Sequence, residues 1–356
     1  MGSVALTLVL LLAGPGALAA QDTGFQLLRD SSLAHERWIA DASLPPAALT
    51  SSTEPCATSR LLSAEAAECG RGLALASLST DAPPRLDQAE SEVPRWQFLE
   101  RHRRLFSILI PVTAIGAVTA NSLVGYNTNH DFRIHREGWF GENTTNGGAD
   151  KASHLTDYFV IASLFEDAFR MIGYSENTAI LAGFGLAVAT GLANEVSDGF
   201  TRHGFSWEDL VMDTAGAAVA SVVSATRTRD LFGMRTSHVP SSTYTHDVYS
   251  ADLKLSGVGR RLGLDIGPLR WLLFSVTYGA KGYRVSPAIQ RERLVGFEIG
   301  LNLQQILNDL GVRRSTWWGY ALHVVGDNVR FPFTAVGMRF DLNRGEWHGP
   351  NSGNYD

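Results

Sequence analysis

The chain has 356 residues, enough to bury a sizeable core in one large domain or two smaller ones. Hydrophobic residues make up 45% and charged residues 19%, and the 35 glycines exceed the average share, a balance that suits a protein in contact with lipid. The formal net charge is −6 and no long basic run occurs, so no nucleic-acid partner is expected.

The N-terminal segment 1–20, MGSVALTLVLLLAGPGALAA, combines a short apolar core with small residues at its end. This pattern predicts a secretory signal peptide that is cleaved near Ala20, with an uncleaved anchor as the alternative. In an oxidising compartment Cys56 and Cys69 are expected to form a disulfide. Because no cysteine lies near the cleavage point, lipid attachment at a processed N-terminus is not expected.

Residues 21–104 are rich in Ala, Ser, Pro and Glu, which predicts a poorly ordered leader. The motif RHRR follows, and then residues 105–126 carry no formal charge. This length suits either one membrane span or a buried core helix, and both interpretations stay open. If the segment spans a membrane, the arginines favour a cytoplasmic N-side, which conflicts with a cleaved signal peptide.

Three further helices are predicted, over 150–172, over 178–196 and from Ser206 toward Ala225. Ser206 and Asp209 form a capping box at the start of the third helix. Small residues at every fourth position of the last two helices predict close helix packing. They are Gly183, Ala187, Gly191, Gly216, Ala220 and Ser224. The helical core is expected to cover residues 105–235.

From about His246 the hydrophobic pattern changes to period two, which predicts antiparallel strands. The alternating segments are 249–255, 272–280, 295–303 and 331–342, with a shorter strand over 320–325. One face is apolar and the other carries Gly, Ser, Thr and charge, as in outer-membrane hairpins. The small number of strands favours a sheet that covers the helices. The β region is placed at 246–343, and residues 344–356 are expected to be a disordered tail.

The predicted fold class is therefore α+β, with a membrane-associated four-helix core followed by a C-terminal antiparallel β-sheet. Ionisable residues lie at helical spacings inside the predicted core, where charge is energetically expensive. They share helix faces in three sets: Asp150, Lys151, His154 and Tyr158; Glu195 and Asp198; Asp209 and Asp213.

Three interpretations of these residues are open: structural pairing between helices, binding of a ligand or lipid head group, and catalysis. In the catalytic hypothesis His154 is a general base beside Glu195, and Lys151 neutralises an anionic group. Asp150, Tyr158, Asp198, Asp209 and Asp213 then form the binding or structural polar network. Carboxylates with a histidine also suit a hard metal ion, although no metal is assigned and the cofactor is unknown. HExxH, GxSxG and phosphate-binding glycine motifs are absent.

Several motifs in order, EGWFG, GGADKASH, EVSDGF and GFSWEDL, resemble the YfiM-type family of predicted periplasmic or outer-membrane proteins. The resemblance covers roughly residues 131–235 and carries no established activity. A more distant similarity connects the chain to VanZ-like membrane proteins. Both resemblances highlight Asp150, Lys151, His154, Glu195, Asp198, Asp209, Asp213 and Gly216. The chain departs from the family in its long leader, its C-terminal strands and the absence of a lipoprotein cysteine.

These observations predict an exported cell-envelope protein, in the periplasm or at the outer membrane, with the inner membrane as the alternative. Its expected role is that of a component of unknown activity, held together by a buried polar network and binding membrane lipid or an envelope partner. The alternative function is a membrane-associated hydrolase or transferase acting on a lipid or a cell-wall precursor. Whether the chain is an enzyme, its protein partner and its oligomeric state are left open.

Overall fold

The structure, a computed structural model, describes residues 93–125, 131–237, 247–283, 290–331 and 333–351. The predicted signal peptide, the predicted disulfide between Cys56 and Cys69, and most of the leader lie outside these residues. Within the leader, residues 97–101 form a short helix.

Helices dominate the first half of the described chain, and three more follow among the strands. In chain order they are α1 (Gln97–Arg101), α2 (Arg103–Gly125), α3 (Ala149–Met171), α4 (Glu176–Gly199), α5 (Trp207–Ala225), α6 (Leu255–Leu262), α7 (Leu303–Asp309) and α8 (Trp317–Asn328). A 3₁₀ helix covers Gly267–Trp271.

The boundaries of α3, α4 and α5 agree with the sequence predictions to within three residues. At the start of α5, the Ser206 hydroxyl accepts the backbone N–H of Asp209 at 3.2 Å, as an N-cap does. The helix that was expected to be either a span or a core helix is α2, which contains Pro111.

Helix α3 is central, because it packs against both α4 and α5. Close approach is possible where small residues occur: a Cβ at Gly216 would lie 2.2 Å from the carbonyl oxygen of Leu155. A Cβ at Gly191 would lie 2.8 Å from a carboxylate oxygen of Asp213. The predicted spacing of small residues therefore places glycine where the helix backbones meet.

Helix α2 packs against α4, where the Ser122 hydroxyl donates to Oδ1 of Asn194 at 3.4 Å. Its other side exposes apolar residues such as Ile108 and Val112. Among the residues that the structure describes, two helical segments are long and apolar enough to cross a membrane by length and composition, Arg103–Ser122 and Glu176–Gly199. Only 17% of the first is buried, against 50% of the second.

The C-terminal part is one antiparallel sheet of six strands, in which each strand pairs with the next along the chain. The strands are β1 (Phe232–Thr236), β2 (Tyr249–Lys254), β3 (Leu272–Lys281), β4 (Glu292–Leu301), β5 (Ala335–Asp341) and β6 (Glu346–Asn351). Four of them match predicted segments. Strand β1 was not predicted, and β6 occupies part of the segment that was expected to be a disordered tail.

The predicted short strand over 320–325 is wrong, since these residues lie inside α8. The hydroxyl of Thr316 accepts the backbone N–H of Gly319 at 3.2 Å and starts a helix. Short apolar runs do not distinguish a strand from a buried helix, and the cap decides here.

The two faces of the sheet differ sharply in environment. On β4, Glu298 is 2% exposed and its neighbour Ile299 is 57% exposed. The polar and small residues of β2 to β5 turn inward, and the apolar residues alternate with them outward. At β1 the apolar face meets the helices, where Met234 packs on their core. The fold is thus α+β, with the principal helices preceding the sheet.

Candidate functional site

The polar residues that the sequence singles out converge between α3, the C-terminal end of α4 and the N-terminal end of α5. Lys151, His154, Glu195 and Asp213 are all buried. Their convergence follows from the spacing on α3 and from the glycine contacts that bring the three helices together.

Lys151 is surrounded by carboxylates. Its Nζ donates to Oε2 of Glu137 at 2.8 Å, to Oδ2 of Asp150 at 3.0 Å and to Oδ1 of Asp209 at 2.5 Å. The side chain is 2% exposed. All three donors of the ammonium group thus have a carboxyl oxygen as acceptor. Glu137, which opens the EGWFG motif, was not assigned to the site from the sequence.

His154 lies beside Lys151 and is held by α5. Its Nδ1 lies 2.7 Å from Oδ1 of Asp213. Its Nε2 lies 3.9 Å from Oδ1 of Asp150 and 3.8 Å from Oδ1 of Asp209, beyond hydrogen-bond length. Tyr158 stacks on the imidazole, with ring centroids 6.4 Å apart and an interplanar angle of 4°.

Glu195 reaches from α4 to the first turn of α5. Its Oε2 accepts the backbone N–H of Ser206 at 3.0 Å, and Asn194 donates to Oε1 at 3.3 Å. The predicted capping box assigned the reciprocal bond to Asp209, and this is corrected: Glu195 satisfies the N-cap, so the Asp209 carboxylate is available to Lys151.

Asp198 is held differently from the other carboxylates: burial opposes its charge and raises the Asp198 pKa to about 6, although the Ser122 hydroxyl and His154 favour that charge. It is half-buried, and its backbone carbonyl accepts the N–H groups of Thr201 at 2.9 Å and Gly204 at 3.0 Å. It therefore closes the C-terminal end of α4. The sequence predicts that Lys151 and His154 together face Glu195, Asp198 and Asp213. In the structure His154 binds Asp213 at 2.7 Å, whereas Lys151 binds Glu137, Asp150 and Asp209.

Burial shifts the ionisation of this cluster in opposite directions. Burial raises the pKa of Glu195 to about 9, that of Glu137 to about 7 and that of Asp213 to about 6. Glu195 is therefore neutral at pH 7. Burial opposes the charge of His154, but Asp209 and Asp213 outweigh it and raise the His154 pKa well above its ordinary value.

The other two members of the cluster keep their charges. Burial disfavours the charge of Lys151, but Asp150 and Asp209 outweigh it and raise the Lys151 pKa. Burial alone would raise the pKa of Asp150, yet His154 and Lys151 hold that pKa well below its ordinary range. Two cations thus face several carboxylates, of which Glu195 is protonated at pH 7.

Two groups of residues have ligand atoms within 4.8 Å of one another: Asp150, His154 and Asp209, and His154, Glu195 and Asp213. These are the described residues that could hold a metal ion. In the first group the Lys151 ammonium already bonds both carboxylates, and in the second Nδ1 of His154 lies 2.7 Å from Asp213.

Little space adjoins the ammonium group. A cavity of about 10 Å³ lies beside Lys151 and is lined by Glu137, Gly138, Trp139, Thr144, Asn146, Gly148 and Asp150. About this volume is needed for the centre of one water molecule. The cavity has room for one water molecule.

A second buried network, not anticipated from the sequence, lies at the other end of α3. Arg229 donates to Oε2 of Glu166 at 2.5 Å and to Oδ1 of Asp167 at 3.0 Å. Arg170 binds the same two carboxylates, and the Tyr320 hydroxyl donates to Asp167 at 3.1 Å. The spacing of Glu166, Asp167 and Arg170 on one helix was the available signal.

The fold and the site define an α+β protein with buried ion-pair networks in its helical part. A family model described as "Predicted periplasmic lipoprotein (DUF2279)" matches residues 136–225. The match covers Glu137, α3, α4 and α5, and thus every residue of the cluster. It is consistent with a cell-envelope protein of unknown activity. No match was found among curated proteins or among solved structures.

Proposed function

We propose that this chain is a non-enzymatic component of the cell envelope, in which the Lys151–His154 cluster is an ionic lock between α3, α4, α5 and the Glu137 segment. The observation that carries the proposal is the saturation of Lys151 by three carboxylates at 2.5–3.0 Å. A lysine in this state offers no donor to a ligand and no lone pair for nucleophilic attack.

The accessibility of the site supports the same proposal. A general base has to reach the proton that it removes, directly or through one water. His154 uses Nδ1 to bind Asp213, and the described cavity next to Lys151 has a volume of about 10 Å³. The envelope location rests on the family description, and membrane lipid is the proposed partner because α2 exposes an apolar side.

Two variants at His154 test the proposal. His154→Ala removes the partner of a buried Asp213, so the melting temperature and the folded yield of the purified protein should fall. His154→Asn retains a side-chain donor for Asp213 but cannot act as a base, so it should recover part of the lost stability.

The opposite pattern would support the hydrolase or transferase alternative. A wild-type melting temperature in both His154→Ala and Glu195→Ala would contradict the ionic lock. The location is tested separately by fractionating cells and washing membranes with alkaline carbonate. Recovery of the full chain in the soluble cytosolic fraction would overturn the proposed envelope location.

A further inference from the structure

The outer face of the sheet is apolar over its central strands and exposed. Phe274 and Val276 on β3 pair across the sheet with Ile299 and Phe297 on β4. These continue onto Val336 and Met338 of β5. All six side chains are exposed. Isolated exposed apolar residues are ordinary, but a contiguous patch on three paired strands marks a contact surface.

The inner face of the same strands is charged and buried. Arg339 donates to Glu298 at 3.1 Å and Arg330 donates to it at 2.5 Å. On β1 and β2, Arg235 and Asp252 form a buried ion pair at 2.5 Å. A sheet of a water-soluble protein normally turns its apolar face inward. This sheet is inverted, which is the pattern of strands that face lipid on one side and a polar interior on the other.

The apolar face also ends in polar and aromatic residues, as a lipid-facing surface does. Along β3 the outward apolar residues run from Leu272 to Tyr278, about 23 Å at ~3.3 Å per residue. Trp271 lies at one end, where its indole N–H donates to Asp309 at 2.5 Å. At the other end Arg344 and Glu292 form an ion pair at 3.3 Å.

Aromatic rings at both ends strengthen this comparison, since they favour the interface between acyl chains and water. The Arg270 guanidinium lies 5.3 Å from the centroid of the Trp271 ring. At the opposite end Phe140 packs on Tyr278 with ring centroids 5.2 Å apart, and Trp347 packs on Phe340 at 5.2 Å.

A cleft extends the same surface toward the helices. It has a volume of about 240 Å³ and lies between α3 and the apolar face of β2 to β4. Its lining includes Leu155, Ala251, Val276, Tyr278 and Val295, and nearly all of its wall is apolar. The exposed apolar surface therefore continues the contact between α3 and the sheet.

We infer that the outer face of β3, β4 and β5 contacts the acyl chains of a lipid bilayer, and that the cleft beside α3 admits part of a chain. A second copy of the protein is a poorer occupant. An isologous dimer buries one patch on each copy, whereas this chain also exposes apolar residues on α2, α4 and α5. Lipid can contact all of these surfaces at once. The inference is independent of the ionic lock.

The test measures whether the outer face of the sheet contacts lipid or water. In the full chain with Cys56→Ser and Cys69→Ser, a single cysteine is introduced as Ile299→Cys or Val336→Cys and labelled with the fluorophore NBD. Glu142→Cys, at an exposed loop position, is the matched control. Each protein is mixed with vesicles of phosphatidylethanolamine and phosphatidylglycerol, and variants with the parent melting temperature are compared.

At Ile299 and Val336 we expect a blue-shifted emission, strong quenching by doxyl-labelled lipid and little quenching by iodide. At Glu142 we expect the reverse. Iodide quenching at all three positions, or failure to float with the vesicles, would overturn the inference. Protection from iodide without lipid that increases with protein concentration would assign the face to a second copy and would overturn it too. A stable Lys151 variant would contradict only the ionic lock.

Discussion

The helical part and the sheet both bury charge, but they do so in opposite ways. Around α3, two buried ion-pair networks lie at the ends of a core built from Phe159, Leu164 and Phe165. One is centred on Lys151 and the other on Arg229. In the sheet, charged and small residues lie on the buried inner face beside a few apolar ones such as Leu273 and Leu294, and most apolar residues lie outside. Buried charge therefore joins helices locally in one region and lines much of the inner face in the other.

The contrast follows from the surroundings that each element needs. A helix makes its backbone hydrogen bonds within itself. An apolar interface between helices can therefore contain a few charged side chains, but only where each of them has all of its polar partners. Side chains of a strand alternate between the two faces of a sheet, so one face can be charged and buried while the other is apolar and exposed. Each region can be tested by a matched pair of substitutions.

The largest effect is expected at Lys151. Lys151→Met leaves Glu137, Asp150 and Asp209 without their shared cation, and the free energy of unfolding should fall by ~3–5 kcal/mol. Chemical denaturation in detergent measures this. The control Arg227→Met removes a surface cation whose side chain is 70% exposed and should change stability by less than ~1 kcal/mol. Equal losses of unfolding free energy in the two variants would contradict the ionic lock.

Strand β3 offers an inside–outside comparison. Leu273 is buried and Val276 is exposed on the opposite face. Leu273→Ala should lower the free energy of unfolding in detergent by ~2–5 kcal/mol. Val276→Ala should change it by about 0.5 kcal/mol or less. If Val276→Ala is as damaging as Leu273→Ala, the outer face packs on protein and the inverted sheet is wrong.

Close helix contact is tested by two glycines. A Cβ at Gly216 would collide with the backbone of α3, so Gly216→Ala should cost ~1–3 kcal/mol. Gly185 on α4 has open space where a Cβ would lie, with no atom within 4 Å, so Gly185→Ala should stabilise the helix by ~0.5–1 kcal/mol. Thermal melts compare the two, and a harmless Gly216→Ala would show that α3 and α5 pack less closely.

The last comparison concerns the pH dependence of stability at Glu195. Since burial raises its pKa from 4.5 to about 9, the folded protein keeps a proton that the unfolded chain releases. Stability from this group is therefore complete below about pH 4.5 and is lost as the pH rises toward 9. Glu195→Gln should remove a slope of up to ~1.4 kcal/mol per pH unit in that window.

Unfolding of Glu195→Gln is measured between pH 5 and pH 9. Glu142→Gln, at an exposed position, serves as the control and should keep the slope of the parent protein. An unchanged slope in Glu195→Gln would mean that Glu195 is ionised in the folded protein and would contradict a neutral, buried carboxyl group.

Local pattern was enough to predict the elements that form the site. Ser206 marked the start of α5, and the spacing of Asp150, His154 and Tyr158 placed them on one face of α3. The partners of Lys151 were harder to predict from the sequence. Asp209 looked like a capping residue, and Glu137 had no helix to relate it to the others. Their pairing with Lys151 depends on how a loop and three helices meet.

The sequence by itself determined the helices α2 to α5, most of the strands and the two sets of residues that alternate along each strand, because periodicity and capping are local properties. Only the tertiary structure decided which carboxylate meets which cation and which face of the sheet turns inward. Both choices are made by long-range packing: Glu298 needs Arg330 and Arg339 from distant segments before it can be buried. The apolar residues of β3 to β5 are left outside because those ion pairs fill the interior.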